Sequence, residues 1–411
     1  MSFCDGVDAV CAWGRDRGSA AEMRKMKNGD DWGKGGAMVE RERGRAGTIA
    51  IAAGRCPNRW TWRGFEICYG RSGDRGPAVV LVHGFGASWR HWRKNLPFLG
   101  EWCRVFAIDL LGFGGSDKPD PAAPGYTFDT WGQQVVDFID QVVGEPAFVI
   151  GNSIGCVVAL QAAAIAPERV RAVALLNCSL RLLHDRRLAT QPWPKRVGAP
   201  LLQRILKQKW LGYWFFRQLA TPKTVRNILR QAYGDPAAVT DELVDILMEP
   251  AQDPGAADVF LAFTGYSQGP LPEDLLEIVT VPVAIWWGTA DPWEPVELGR
   301  AFEKFPCVEK FVALEGVGHC PQDENPFALN YQLRDWIYWK AQETLPHDPL
   351  HPGDRVEVRV VRPDGDYAWN GLRGTVVTVG DRAVTVQLDD QGSKRHFYRE
   401  DLWPCDHEPL P

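Results

Sequence analysis

The chain has 411 residues, 45% of them hydrophobic and 24% charged, with a formal net charge of −6. Those fractions sit at the globular average, which excludes wholesale disorder, and the length leaves room for one large domain and a smaller one. An acidic balance without a long polybasic run speaks against nucleic acid as a partner, and no apolar stretch approaches the roughly 18 to 20 residues of a membrane span.

Residues 1–55 are rich in Gly, Arg, Asp and Glu without apolar periodicity, and read as a disordered extension. Asp5, Asp8, Arg15 and Asp16 interrupt any signal-peptide core, so secretion is not expected, and Met38 is an alternative start. The ten cysteines show no CxxC pairs. Cys68, Cys156 and Cys178 lie in apolar stretches and read as small buried hydrophobes, which suits a reducing compartment.

From Trp60, "TWRGFEICYG" predicts two short strands turning at Arg63-Gly64. Apolar runs follow at Ala78 to Val82, Val105 to Ile108, Ala147 to Ile150, Val173 to Leu176 and Val283 to Trp287. Continuous rather than alternating runs imply strands buried on both faces, hence an α/β fold with a mostly parallel sheet between helices. Val135, Val136, Phe138, Ile139, Val142 and Val143 recur at helical spacing, as a crossover between parallel strands requires.

The core is therefore assigned to residues 56–178 and 281–342, and the interruption at 179–280 to a helical cap. Eighteen tryptophans need a large core, an apolar site or a docking surface. In the cap, Trp193, Trp214 and Phe215 are read as substrate-facing. Residues 350–411 carry short alternating strands between Gly- and Asp-bearing turns, and predict a small all-β barrel resembling SH3-like modules, with a protein partner as its expected ligand.

The strongest chemical signal is "FVIGNSIG" followed by the helical "CVVALQAAAIA". A serine at a sharp strand-to-helix turn, with glycine two residues to either side, is the nucleophile-elbow pattern, and Ser153 is the expected nucleophile. The Ile154 N–H at the start of the helix is one expected oxyanion donor. The other is the Phe85 N–H, in the glycine-bearing loop after "VVLV". His83 in that loop is read as a brace for the turn.

Acid and histidine are then sought in that order, each on a loop leaving a later strand. "VPVAIWWGTADPWEP" carries Asp291, with Glu294 as rival, and "VEKFVALEGVGHCPQDENP" carries His319. Asp109 is read as holding its glycine-rich loop through backbone N–H groups. Neither metal-ligand spacing nor a dinucleotide fingerprint is found, so no cofactor is expected.

"HGFGASWRHWRKNLP", "DLLGFGGSDKP", "GNSIG", "WWGTADPWEP" and "GVGHCPQDENP" together resemble the pheophytinase and chlorophyll dephytylase group of α/β-hydrolases, over about Trp60 to Lys340. Related epoxide hydrolases and haloalkane dehalogenases carry an aspartate nucleophile, which Ser153 replaces. Cys156 stands where many members have a second glycine. The resemblance implies hydrolysis of the phytyl ester of chlorophyll-type pigments. The expected location is cytoplasmic or peripheral to a photosynthetic membrane, and peripheral membrane contact is expected through exposed cap aromatics near a bilayer that holds the substrate. The alternatives are a general carboxylesterase, a carbon–carbon bond hydrolase with the same triad, or an inactive pigment-binding scaffold.

Overall fold

The computed structural model describes residues 55–182, 184–188, 208–342, 352–358, 371–379, 384–389, 392–397 and 402–404. The N-terminal extension and Trp193 lie outside them. The chain divides into two compact units between Asn330 and Tyr331.

In the first unit eight strands form one sheet: β1 (Asn58–Trp62), β2 (Phe65–Ser72), β3 (Ala78–Val82), β4 (Arg104–Ile108), β5 (Ala147–Asn152), β6 (Val170–Leu176), β7 (Val283–Gly288) and β8 (Val308–Leu314). Their order is β1-β2-β4-β3-β5-β6-β7-β8. β1 and β2 are antiparallel and the remaining neighbours from β4 to β8 run parallel. Arg63 and Gly64 both adopt positive φ, 51° and 86°, as a two-residue hairpin turn requires. Each of the five continuous apolar runs is a strand; β3, β5 and β7 are buried along their whole length because helices cover both faces.

Helix α1 (Phe128–Phe138) starts at Thr127, whose hydroxyl accepts the Thr130 N–H. Its apolar periodicity runs on through one π-helical turn, Ile139–Val143, that stops at left-handed Gly144. Helix α2 (Ile154–Ile165) is built chiefly from Ile, Val, Ala, Gly and Leu and is buried from Ile154 to Leu160. Between β6 and β7 lie α3 (Lys209–Leu219), α4 (Pro222–Ala232), α5 (Asp241–Ala251) and α6 (Ala256–Thr264). Leu229, Ala232, Tyr233, Leu243, Val244 and Met248 give this cap a small core of its own.

Cys68 is buried, as its apolar neighbourhood suggested, but it is not a free thiol: it forms a disulfide with Cys56 across 12 residues. Sequence could not show this because β1 and β2 must first pair before the two cysteines meet. Cys156 and Cys178 are buried and free.

The second unit opens inside helix α7 (Pro326–Gln342) and contains β9 (Arg355–Val358), β10 (Arg373–Val379), β11 (Val384–Leu388), β12 (Lys394–Phe397) and β13 (Leu402–Pro404). These form an antiparallel sheet of order β12-β11-β10-β9-β13 over a core of Val356, Val358, Val376, Val386, Leu388 and Phe397. Its division from the first unit falls earlier than the proline-bearing linker suggested, because Arg334 in α7 is buried and pairs with Glu357 of β9 at 2.9 Å.

Candidate active site

Ser153 stands between β5 and α2 with φ 56° and ψ −120°, a backbone conformation that L-residues rarely adopt. The close fit of the surrounding backbone holds it there. A Cβ on Gly151 would lie 2.3 Å from the Gly155 carbonyl carbon, and one on Gly155 would lie 2.4 Å from the Val82 carbonyl oxygen. Both neighbours are backbone and cannot swing aside, so only glycine lets α2 begin this close to β3. Ile154 is the first residue of α2, so its N–H has no partner within the helix. Phe85 follows β3 and borders the same cavity as Ser153 and Ile154.

His319 sits on the loop after β8, where its own N–H donates to the Ala232 carbonyl at the end of α4. The ring Nδ1–H donates to Asp291 Oδ2 at 2.7 Å, which leaves Nε2 with the lone pair. Burial opposes protonation of this ring, but the charge and hydrogen bond of Asp291, with a smaller contribution from Glu294, outweigh it and raise its pKa above the usual histidine value. His319 and Ser153 line one cavity.

Asp291 follows β7, and both of its carboxyl oxygens accept hydrogen bonds. Oδ2 also accepts from Asn177 Nδ2 at 2.7 Å, and Oδ1 accepts the Trp293 and Glu294 N–H groups at 2.9 and 3.1 Å. Asn177 is in turn fixed by the Gly288 N–H, which donates to its Oδ1. Glu294, the rival acid, is buried in the cavity wall, and burial together with the nearby Asp291 charge raises its pKa to about 8. Burial thus works against its charged form, while the His319 ring, the Leu180 N–H and the Ser179 hydroxyl oppose that shift.

His83 is a brace: Nδ1–H donates to the Gly84 carbonyl and Nε2 accepts the Leu110 N–H, and burial lowers its pKa to about 4. Asp109 accepts the Trp89 and Gly115 N–H groups. Two residues that sequence reasoning passed over tie the loops together. Asn177 joins β6 to the Asp291 loop, and Asn152 donates to the Leu176 and His319 carbonyls while accepting from Gln322. The signal for both was present, an asparagine at the end of a continuous apolar strand. In the "HCPQDE" stretch, buried Asp323 pairs with Arg93 and accepts from Tyr233, and Glu324 accepts the Gly318 and Asp235 N–H groups, so its acidic residues hold the histidine loop.

The cavity above Ser153 encloses about 440 Å³ and its walls are chiefly apolar. Phe85 stacks on Phe263 at 4.7 Å, and Phe216, Leu219 and Phe260 extend that wall from the cap. Of the aromatics expected there, Trp214 lies on the exposed face of α3 and Phe215 packs against Phe260 without bordering the cavity. The helical turn explains the correction: Gly212, Phe216 and Leu219 occupy the inner stripe and carry Trp214 outward. Among the described residues no three His, Cys, Asp or Glu side chains are arranged to hold a metal ion, and no helix is long and apolar enough to cross a membrane.

Pheophytinase, chloroplastic, from Arabidopsis thaliana is 32% identical over 64% of this chain, a match spanning 61% of that relative's length. The uncharacterized hydrolase YugF of Bacillus subtilis is 26% identical over 68% of this chain and 97% of its own. Among solved structures, the meta-cleavage product hydrolase CumD from Pseudomonas fluorescens IP01 superposes with a TM-score of 0.54 at 20% identity, over 70% of this chain and 99% of that one. Residues 79–330 match the Alpha/beta hydrolase family, with the elbow, Asp291 and His319 all inside the matched stretch; the chain belongs to that family.

Proposed function

We propose that this hydrolase cleaves a carboxylic ester of a large lipophilic molecule through an acyl-enzyme on Ser153. The observation that carries the reading is the strained Ser153 elbow opening on the same apolar cavity as a His319 ring held by Asp291. His319 Nε2 takes the hydroxyl proton as Ser153 Oγ attacks the ester carbonyl, and Asp291 stabilises the imidazolium. The Ile154 and Phe85 N–H groups receive the oxyanion. His319 then protonates the departing alcohol, and water, deprotonated by the same ring, releases the acid. The apolar walls favour a long hydrocarbon on the substrate, and similarity to a pheophytinase favours the phytyl ester of a chlorophyll-type pigment.

The test is release of phytol from pheophytin a and chlorophyll a by the purified chain beside Ser153→Ala. Turnover by the parent alone supports the reading. Cleavage of short acyl esters only makes the protein a general carboxylesterase, and a parent that no fluorophosphonate probe labels makes it a scaffold.

A further inference from the structure

From Arg186 to Gly234 the sequence carries eleven Lys and Arg and no Asp or Glu, in a chain whose net charge is −6. Some of these cations are used within the fold: Arg186, Arg187 and Arg226 pair with Asp274, Glu273 and Asp241. Lys209 and Arg217, on α3, are exposed. The same helix presents Trp210 and Trp214 to solvent, 71% and 59% exposed, one turn apart on one stripe that Arg217 continues. Its opposite stripe is built differently. Gly212 is buried, Phe216 packs on Phe260 at 5.3 Å, and Phe216 and Leu219 border the cavity above Ser153.

One helix therefore has an inner face that walls an apolar cavity and an outer face of two indoles and cations. Exposed neighbouring indoles have a large apolar area that water solvates poorly, and a ring N–H that an ester-rich interface can satisfy. Anionic headgroups complement the local positive charge, which the acidic remainder of the protein does not share.

We propose that the outer face of α3, through Trp210, Trp214, Lys209 and Arg217, docks the protein on an anionic lipid bilayer. Docking there seats the helix between the acyl-chain boundary and the cavity, so a lipophilic ester is met where it is dissolved. The last clause rests on the ester reading above; the docking itself does not. A nucleic acid strand would use the same cations and stack bases on the same indoles, so an oligonucleotide is one arm of the test.

The test is flotation of the full chain with phosphatidylcholine vesicles, with and without phosphatidylglycerol. The parent is expected to float with the anionic vesicles and to be released by salt, and Trp210→Ser/Trp214→Ser to lose about tenfold or more of that partitioning. The double variant should still hydrolyse p-nitrophenyl acetate at the parental rate, which separates lost docking from lost folding. Ser153→Ala should float like the parent, so failure of the esterase reading leaves this outcome untouched. A parent that ignores anionic vesicles, or a tryptophan variant that floats equally well, overturns the proposal. So does an oligonucleotide that binds parent and tryptophan variant alike and strips the parent from vesicles.

Discussion

Asn177 and His319 donate to the same oxygen: Asn177 Nδ2 and His319 Nδ1 each lie 2.7 Å from Asp291 Oδ2. Asn177 thus helps to fix the carboxylate that orients the imidazole, and binds the end of β7 through the Gly288 N–H as well. A hydrogen bond to a charged group contributes about 1.5–3 kcal/mol. Asn177→Ala is therefore expected to lower kcat by roughly 10- to 100-fold. KM should change little, since Asn177 does not border the cavity. An unchanged kcat would show that the two backbone donors on Oδ1 suffice.

Asp291 and Glu294 are separated by what they touch. Asp291→Asn should reduce turnover on the order of 10⁴-fold, by analogy with serine proteases, because the ring loses its carboxylate partner. Glu294→Gln keeps the shape of a carboxyl whose pKa burial already raises to about 8, and should cost far less. Equal damage in steady-state kinetics would move the acid role to Glu294.

Glu294 also predicts a dependence of stability on pH. Its folded-state pKa of about 8 lies above its ordinary value of 4.5. The folded protein then holds a proton that the unfolded chain releases, so this group's contribution is complete below pH 4.5 and is lost as pH rises towards about 8. Glu294→Gln removes that loss. The Tm of the variant should gain on the parent steadily across this window and level off above it; a constant difference would contradict the burial argument.

Gly155→Ala tests the elbow without touching a reacting group. The added methyl would sit 2.4 Å from the Val82 and 2.7 Å from the His83 carbonyl oxygen, so α2 or β3 must shift. Overpacking of this kind costs about 1–3 kcal/mol. Thermal unfolding should show that loss, and fluorophosphonate labelling of Ser153 should slow with it.

The Cys56–Cys68 bond closes a short loop across β1 and β2. Replacing both with serine should cost about 2–4 kcal/mol in denaturant unfolding. Thiol titration of the denatured, unreduced parent should find two fewer reactive groups than after reduction.

The sequence by itself determined the strands, the elbow and the chain order of Ser153, Asp291 and His319. Those features are local: burial on both faces makes a strand continuously apolar, and a strained turn demands glycine within two residues. Tertiary structure alone decided the rest. Asn177 and Asp291 are 114 residues apart and Asn152 and Gln322 are 170 apart, so neither bond leaves a trace in spacing. The pairing of Cys56 with Cys68, the raised pKa of Glu294 and the outward face of Trp214 likewise depend on which surfaces pack together. Periodicity reports which residues share a face, and only packing decides whether that face meets protein, cavity or water.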